Sequence, residues 1–309
     1  MNTQTTPAPA AVPEVSIVIP VYNEREALGH LFAVLLPILR TAARSFEIVA
    51  VNDGSADDTL QRLLQAQSGL PQLRIVDLSR NFGKEAALTA GLAHCRGACA
   101  IVIDADLQDP PELIAQMLEK WREGYETVVA VHAGRAADSW LRRTFSGWFY
   151  GLLNAVSHIS MVPNAGDFRL LDRAAIDAFL ALPERTRFNK GLFAWIGFRQ
   201  YLIEHERPPR AAGASKFNYR RLFGLAIEGI TSFSSVPLRL STYLGLLVAG
   251  LSFAYGAYIV LRTALYGSDV PGYASLFVAV VFFGGINLLS IGILGEYVGR
   301  VFLESKQRP

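Results

Sequence analysis

Cysteine is almost missing from this 309-residue chain, which carries only Cys95 and Cys99. Four positions apart and without acids or histidines at zinc-ligand spacing, they read as small buried thiols in a reducing compartment. His94 beside them reads as a helix-end residue rather than a ligand. Excess charge is missing too: a formal net charge of +2 argues against a nucleic-acid-binding surface. Residues 1–14, rich in Thr, Pro and Ala, have neither a basic start nor an apolar core. That marks a disordered tail rather than a signal peptide, so the region that follows is expected in the cytosol. No phosphate-binding P-loop is present, although Ser79-Arg80-Asn81-Phe82-Gly83-Lys84-Glu85 offers one glycine flanked by cations, compatible with phosphate contact. What remains is a chain long enough to bury a full core, as one large domain or two smaller ones.

From Val15 onward, strand and helix patterns alternate. Short β-rich runs are expected at Val15 to Pro20, Glu47 to Val51, Arg74 to Leu78 and Ala100 to Ile103. Helical spacing is expected at Asn23 to Arg40, Asp57 to Gln67 and Glu85 to Ala93. Such alternation indicates βαβ units around a mostly parallel sheet, an α/β class in which ligands bind at the C-terminal edges of the strands. The residues at those edges are therefore the candidates for binding. The second strand runs into Asn52-Asp53-Gly54-Ser55, where Gly54 permits a tight turn and Asp53 can accept from a base or ribose donor, while Asp57 or Asp58 serves as helix cap.

The run Ile101-Val102-Ile103 is stopped almost at once by Pro110-Pro111, so the acids between them fall at a strand edge. Alternation along an extended chain is expected to turn Asp104, Asp106 and Gln108 to one side. There they offer hard oxygen ligands for Mg²⁺ or Mn²⁺ shared with substrate phosphates. The competing reading is a strand followed by an acidic helix N-terminus, with Pro110, Pro111 and Glu112 forming only its cap and first turn.

Four segments in order carry a family resemblance: Ile19-Pro20-Val21-Tyr22-Asn23-Glu24, Val51-Asn52-Asp53-Gly54-Ser55, Ser79 to Glu85, and Asp104-Ala105-Asp106-Leu107-Gln108-Asp109-Pro110-Pro111-Glu112. Together they resemble the inverting family-2 glycosyltransferases of GT-A fold. Ala165-Gly166-Asp167-Phe168-Arg169-Leu170-Leu171 and Arg210-Ala211-Ala212-Gly213-Ala214-Ser215-Lys216-Phe217 narrow the resemblance to the polyprenyl-phosphate sugar transferases, the group of dolichyl-phosphate mannose synthase and the bacterial undecaprenyl-phosphate glucosyltransferases. It covers Val15 to Arg308, and it departs from the family at Ala214, where a glutamate is common. The resemblance implies a nucleotide-sugar site at Pro20, Tyr22, Glu24, Asp53, Lys84 and Asp104, and a metal held by Asp104, Asp106 and Gln108. Beside the resemblance, Asp106, Asp167 and Arg210 are the candidates for catalytic duties, and the basic residues Arg135, Arg142, Arg143, Arg169, Arg210 and Lys216 are the candidates to meet a lipid phosphate. For Asp167, a role in orienting the sugar or an arginine stands beside a structural salt bridge to Arg169 or Arg173.

The C-terminal third is legible without a family. Ser241 to Leu261 and Val270 to Gly295 are uncharged apart from Glu296 at the border of the second, and each can cross a hydrocarbon core of about 30 Å. Their apolar residues lie all round rather than on one stripe, as membrane helices require. Arg207, Arg210, Lys216, Arg220, Arg221 and Arg239 precede the first span. Arg300, Lys306 and Arg308 follow the second, and the connection beyond Arg262 holds only Asp269. The positive-inside rule then puts both termini in the cytosol, and the resemblance implies that the membrane is a bacterial inner membrane. The expected architecture is a GT-A domain at 15–212, a juxtamembrane segment at 213–240 that is either an interfacial helix or a linker, and spans at 241–262 and 273–296. An extracytoplasmic loop at 263–272 joins the spans, and a cytosolic tail at 297–309 closes the chain. Gly245, Gly250, Gly256, Gly284 and Gly285 would allow close contacts between spans or between protomers of a homo-oligomer.

Basic residues at a lipid surface favour an anionic lipid acceptor. The expected reaction moves one sugar, glucose from UDP-glucose, to polyprenyl phosphate. Two other readings stand against it: a processive polysaccharide synthase, whose Gln-x-x-Arg-Trp element this chain lacks, and a non-catalytic membrane scaffold that keeps the fold.

Overall fold

Every strand of the first half begins or ends where the backbone hands over to a neighbouring loop, and the hydrogen-bond ladder explains where. The computed structural model describes residues 12–132, 162, 165–184, 187–205, 236–267 and 272–306, which fall into two units, one carrying a sheet and one carrying two long helices. In the first unit β1 (Val15–Val21), α1 (Ala27–Ala42), β2 (Phe46–Asn52), α2 (Thr59–Gly69), β3 (Leu73–Asp77), α3 (Lys84–His94) and β4 (Cys99–Val102) alternate as the hydrophobic pattern demands. They continue into α4 (Leu113–Arg122), β5 (Thr127–His132), β6 (Ala165–Asp172), α5 (Arg173–Ala181), α6 (Asn189–Trp195) and β7 (Gln200–His205). Helix α1 starts later than helical spacing alone implies. Asn23 adopts φ 54°, its N–H donates to Ser55 Oγ at 3.0 Å and the Glu24 N–H donates to Thr59 Oγ1 at 3.0 Å, so both residues are spent on tying the first strand-end loop to the second.

The seven strands form one sheet in the order β3-β2-β1-β4-β6-β5-β7. Pairs β3–β2, β2–β1, β1–β4 and β5–β7 are parallel, whereas β6 is antiparallel to both β4 and β5. This is the mostly parallel α/β arrangement of the GT-A type, with one reversed strand at its middle. Alternate residues of β1 face opposite layers. Val15, Ile17, Ile19 and Val21 pack with Leu28, Leu31, Leu35 and Leu39 of α1 and with Ile114, Met117 and Leu118 of α4. On the other face α3 lies so close that a Cβ at Gly91 would come within 2.3 Å of Val18 Cγ1. Burial on both faces is why these strands read as continuous apolar runs instead of alternating ones.

Gly54 is needed for a different reason. Its φ is +62°, and a Cβ there would lie 2.3 Å from the backbone carbonyl carbon of Arg80, because the turn after β2 rests directly on the loop after β3. Gly54→Ala is expected to lower stability by about 1–3 kcal/mol through strain in the left-handed region alone, with backbone displacement adding to it. Urea unfolding of the purified variant checks this; an unchanged midpoint would contradict the close approach.

Both cysteines are buried and free, and burial pushes both thiols up. His94 ends α3 with its Nδ1 2.8 Å from Ala90 O. In the second unit α7 (Val236–Tyr266) and α8 (Tyr273–Ser305) contact each other, and Ser241 Oγ donates to Ser290 Oγ at 3.1 Å. With 31 and 33 residues, they reach about 46 and 50 Å at the usual helical rise. Large apolar side chains such as Leu246, Tyr255, Leu261, Leu276, Leu288 and Ile291 stand exposed along both. Among the described residues one helix, α8, is long and apolar enough to cross a membrane by length and composition, through Phe282–Gly299. Both helices outrun the apolar stretches that mark them in sequence, since Arg239, Arg262 and Glu296 do not interrupt backbone pairing. The connection therefore shortens to residues 267–272, and Glu296 lies inside α8. Among the described residues, no atom outside the glycine's own stretch of helix lies within 4 Å of a Cβ built on Gly245, Gly250, Gly256, Gly284 or Gly285.

Candidate active site

The C-terminal ends of β3, β2, β1 and β4 all fall on one edge of the sheet, because these strands are parallel. The reversed strand β6 contributes its beginning to the same edge. Its register ends with Val102 opposite Arg169, and just beyond that pair Asp104 and Asp167 come close enough to share one lysine. Two carboxylates far apart in sequence are thereby brought together by topology.

A lysine joins them. Lys84 Nζ lies 2.7 Å from Asp104 Oδ1 and 2.6 Å from Asp167 Oδ2, and Lys190 Nζ lies 3.8 Å from Asp167 Oδ1. Burial alone would raise the Asp167 carboxyl, but Lys190 and Lys84 outweigh it and hold the group below the ordinary aspartate value. Asp104 moves the other way: burial raises it, and the neighbouring Asp167 and Asp106 add to the rise despite Lys84. Burial also raises Glu24, with Asp106, Asp104 and Asp57 contributing. Lys84 itself is pushed well up by Asp167 and Asp104 against the opposing cost of burial. Negative charge thus exceeds its local compensation on the Glu24, Asp104 and Asp106 side, while Asp167 is well compensated.

The chain after β4 does not stay extended. Leu107 N–H donates to Asp104 O at 3.4 Å and Leu107 takes φ 50°, so the segment turns. The expectation that period-two alternation aligns Asp104, Asp106 and Gln108 is corrected accordingly: what groups them is a turn. Within it Asp106 Oδ1 accepts from the Gln108 backbone N–H at 3.2 Å, and Gln108 Nε2 donates to Asp106 Oδ2. Asp109 is buried, 3.4 Å from His205 Nε2 at the end of β7. Helix α4 starts at Leu113 with Glu112 at its N-cap position, so Glu112 takes the expected cap position, whereas Pro110 and Pro111 precede the helix and form no part of its first turn.

Asp53 has a duty that spacing did not reveal. Buried at 3% exposure, it accepts from the Phe82 N–H at 2.7 Å and the Gly83 N–H at 2.9 Å, which shapes the loop presenting Lys84. Pro20 lies within β1 and Tyr22 stands exposed just past its end. Asn23, Glu24, Arg25, Glu26, Ala27, Ala56 and Asp57 line an open cleft of about 610 Å³ beside them. The salt bridge envisaged between Asp167 and Arg169 or Arg173 does not form. Arg173 pairs with Asp177 at 3.0 Å, and Arg169, held over the Phe193 ring at 4.4 Å, donates to Gly166 O at 2.7 Å. Burial lowers the Arg169 guanidinium to about 10, still protonated at neutral pH.

Sequence reading missed Lys190, Asn189 and Glu85. The buried Asn189 donates through its N–H to Glu85 Oε2 at 3.1 Å and through Nδ2 to Glu85 O at 3.0 Å, which fixes α6 and its Lys190 to the start of α3. No local motif marks Lys190 or Asn189, and Glu85 stands in the sequence only as the last residue of the Ser79 to Glu85 segment, with no role of its own. Arg135, Arg142, Arg143, Arg210 and Lys216 lie outside the described residues.

Among the described residues no group of three or more acids, histidines or cysteines forms a ready-made metal cage. The donor set fits a cation that keeps water and substrate oxygens, as Mg²⁺ does with one or two carboxylates. The carboxylates of Asp104 and Glu24, both raised by burial and by neighbouring acids, are what such a cation would neutralise, with Asp106 close by to share it.

Comparison with known proteins matches residues 16–180 to the family model of glycosyl transferase family 2 and residues 236–301 to that of the GtrB C-terminal hairpin. An uncharacterized glycosyltransferase of Synechocystis is 50% identical over 296 residues, covering 96% of this chain and 93% of its own length. The bactoprenol glucosyl transferase of Shigella phage SfV is 44% identical, covering 96% of each. Among solved structures, a mannosyltransferase from Pyrobaculum calidifontis in complex with GDP-Man and Mn²⁺ has a TM-score of 0.49 at 17% identity, covering 97% of this chain and 87% of its own.

Proposed function

The chain belongs to glycosyl transferase family 2, and on that premise we propose that it is a membrane-bound polyprenyl-phosphate glucosyltransferase, moving one glucose from UDP-glucose to undecaprenyl phosphate. The observation that carries this reading is the extent of the likeness to a bactoprenol glucosyl transferase, which spans 96% of the chain and so takes in both the acid-lined sheet edge and the helical hairpin.

Helices α7 and α8 are then two membrane spans joined by a short extracytoplasmic connection, with both termini cytosolic. The exposed apolar side chains all along them support this, as does the excess of Arg and Lys outside the connection. The nucleoside is held at Pro20, Tyr22, Glu24 and Asp53, and the diphosphate near Lys84 and Asp104. Asp104, Asp106 and Gln108 would hold Mg²⁺ or Mn²⁺, which would supply positive charge against the departing diphosphate. Arg135, Arg142, Arg143, Arg210 and Lys216 meet the lipid phosphate, guanidinium forks matching its oxygens.

A phosphate monoester has its second pKa near 6, so the acceptor oxygen is mostly ionised at neutral pH and needs little help from a base. Catalysis becomes a matter of position and charge. Asp167, kept ionised by Lys84 and Lys190, is suited to accept hydrogen bonds from the sugar rather than to take a proton. The acceptor oxygen attacks the anomeric carbon from the side opposite the diphosphate, one C–O bond forming as the other breaks, and UDP leaves.

Detergent-purified protein incubated with undecaprenyl phosphate, Mg²⁺ and a panel of radiolabelled nucleotide sugars is expected to place label in the organic phase from UDP-glucose. A chelator should abolish it. Label from another donor would reassign the sugar, and no lipid-phase label from any donor would contradict the proposed reaction.

A further inference from the structure

Lys84 occupies an unfavourable place for a cation. It is the first residue of α3, where the helix dipole presents its positive end, and 43% of its side chain is exposed. What holds it is the pair of carboxylates: 2.7 Å to Asp104 Oδ1, 2.8 Å to Asp104 Oδ2 and 2.6 Å to Asp167 Oδ2. The two acids are not equivalent in their other neighbours. Asp167 has Lys190 as a second cation, whereas Asp104 has Asp106 beside it and, among the described residues, Lys84 as its one ion-pair partner. Both oxygens of Asp104 are engaged by the one ammonium.

We propose that Lys84 is a displaceable internal counter-ion: in the metal-free protein its ammonium sits where it blocks Asp104, and it yields Asp104 to the divalent cation when the donor binds while remaining on Asp167. The inference rests on the proposed function, since it presumes a metal-dependent donor site. An ammonium and a divalent cation cannot both contact Asp104 closely without strong repulsion, so the lysine must give up one of its two acids. Asp167 is the one it keeps, because that carboxylate lies between two lysines and off the metal side. The long flexible stem of a lysine allows the exchange without moving backbone, which a shorter cation would not. The device keeps the two partly exposed acids compensated between turnovers and ties metal capture to donor arrival, because the diphosphate then supplies the oxygens that favour the cation over the ammonium.

Lys84→Met and Lys84→Gln in the full-length detergent-purified protein, with Mn²⁺ binding followed by electron paramagnetic resonance in the absence of nucleotide, test this directly. Both variants are expected to bind Mn²⁺ about tenfold more tightly than the wild type, since one competing unit charge is removed from the ligand. Their metal-free forms are expected to melt at lower temperature and to recover on Mn²⁺ addition, a linkage that a purely structural lysine would not give. Unchanged or weaker Mn²⁺ binding by a folded variant overturns the inference while leaving the metal-dependent reaction standing. Absence of Mn²⁺ binding by the wild type even with UDP-glucose overturns both. Should neither variant fold, amine labelling of the wild type read by mass spectrometry decides: Mn²⁺ with UDP must raise Lys84 labelling, and an unchanged value counts against displacement.

Discussion

Asp106→Asn should lower sugar transfer on the order of 10³-fold while the protein still inserts in the membrane, because on the proposed reading several kcal/mol of charge stabilisation at the diphosphate would go with the cation Asp106 would hold. The substitution is nearly isosteric and Asp106 sits in a surface turn where it accepts from Gln108, so folding should be little changed. Initial rates with saturating UDP-glucose, compared between variant and wild type reconstituted in the same lipid, measure the effect. Full activity in a folded variant would remove Asp106 from the metal site and leave the segment 104–109 as a strand end and helix start only.

Asp167→Asn carries the second large effect, an expected loss of about 10²-fold in kcat, the usual scale for removing one oriented electrostatic partner. The neutral amide cannot compensate Lys84 and Lys190, both of which lean on this carboxylate. Its pH behaviour separates orientation from base catalysis. Because the lysines hold the Asp167 carboxyl low, it is ionised throughout the working range, and the acid limb of the wild-type profile should follow the acceptor phosphate, near pH 6. The limb is therefore expected to persist, at the same pH, in Asp167→Asn. Its disappearance would make Asp167 the titrating base. The same low value sets a sign for stability: Asp167 contributes fully above the unfolded aspartate value of about 3.9, and that contribution fades as pH falls through its lower folded value. Thermal melts from pH 7 to pH 3 should show this loss in the wild type and less of it in Asp167→Asn.

Alternation of strand and helix was readable because β1, β2 and β4 are buried on both faces and bounded by turn residues. Loop-bound residues such as Asn23 escaped, since a side-chain link to Ser55 and Ala56 decides their backbone and nothing local announces it. The acids at 104 and 106 were readable from one short segment, but the way they are grouped was not, because a turn with positive φ at Leu107 replaces the extended chain. Lys190 and its anchor Asn189 to Glu85 depend on a contact more than a hundred residues apart and on the reversed direction of β6. Composition fixes neither. The two long helices were visible as apolar runs, yet their ends were not, because helical backbone pairing continues past a charged residue such as Arg262.

Product stereochemistry tests the central claim most directly. The full-length protein in detergent with undecaprenyl phosphate, Mg²⁺ and ¹³C-labelled UDP-glucose should give one glucose per lipid phosphate, and anomeric coupling in the NMR spectrum should show inversion to the β-linked sugar. Retention of configuration, a polymer, or glucose released to water without any lipid-linked product would contradict single displacement by a lipid phosphate.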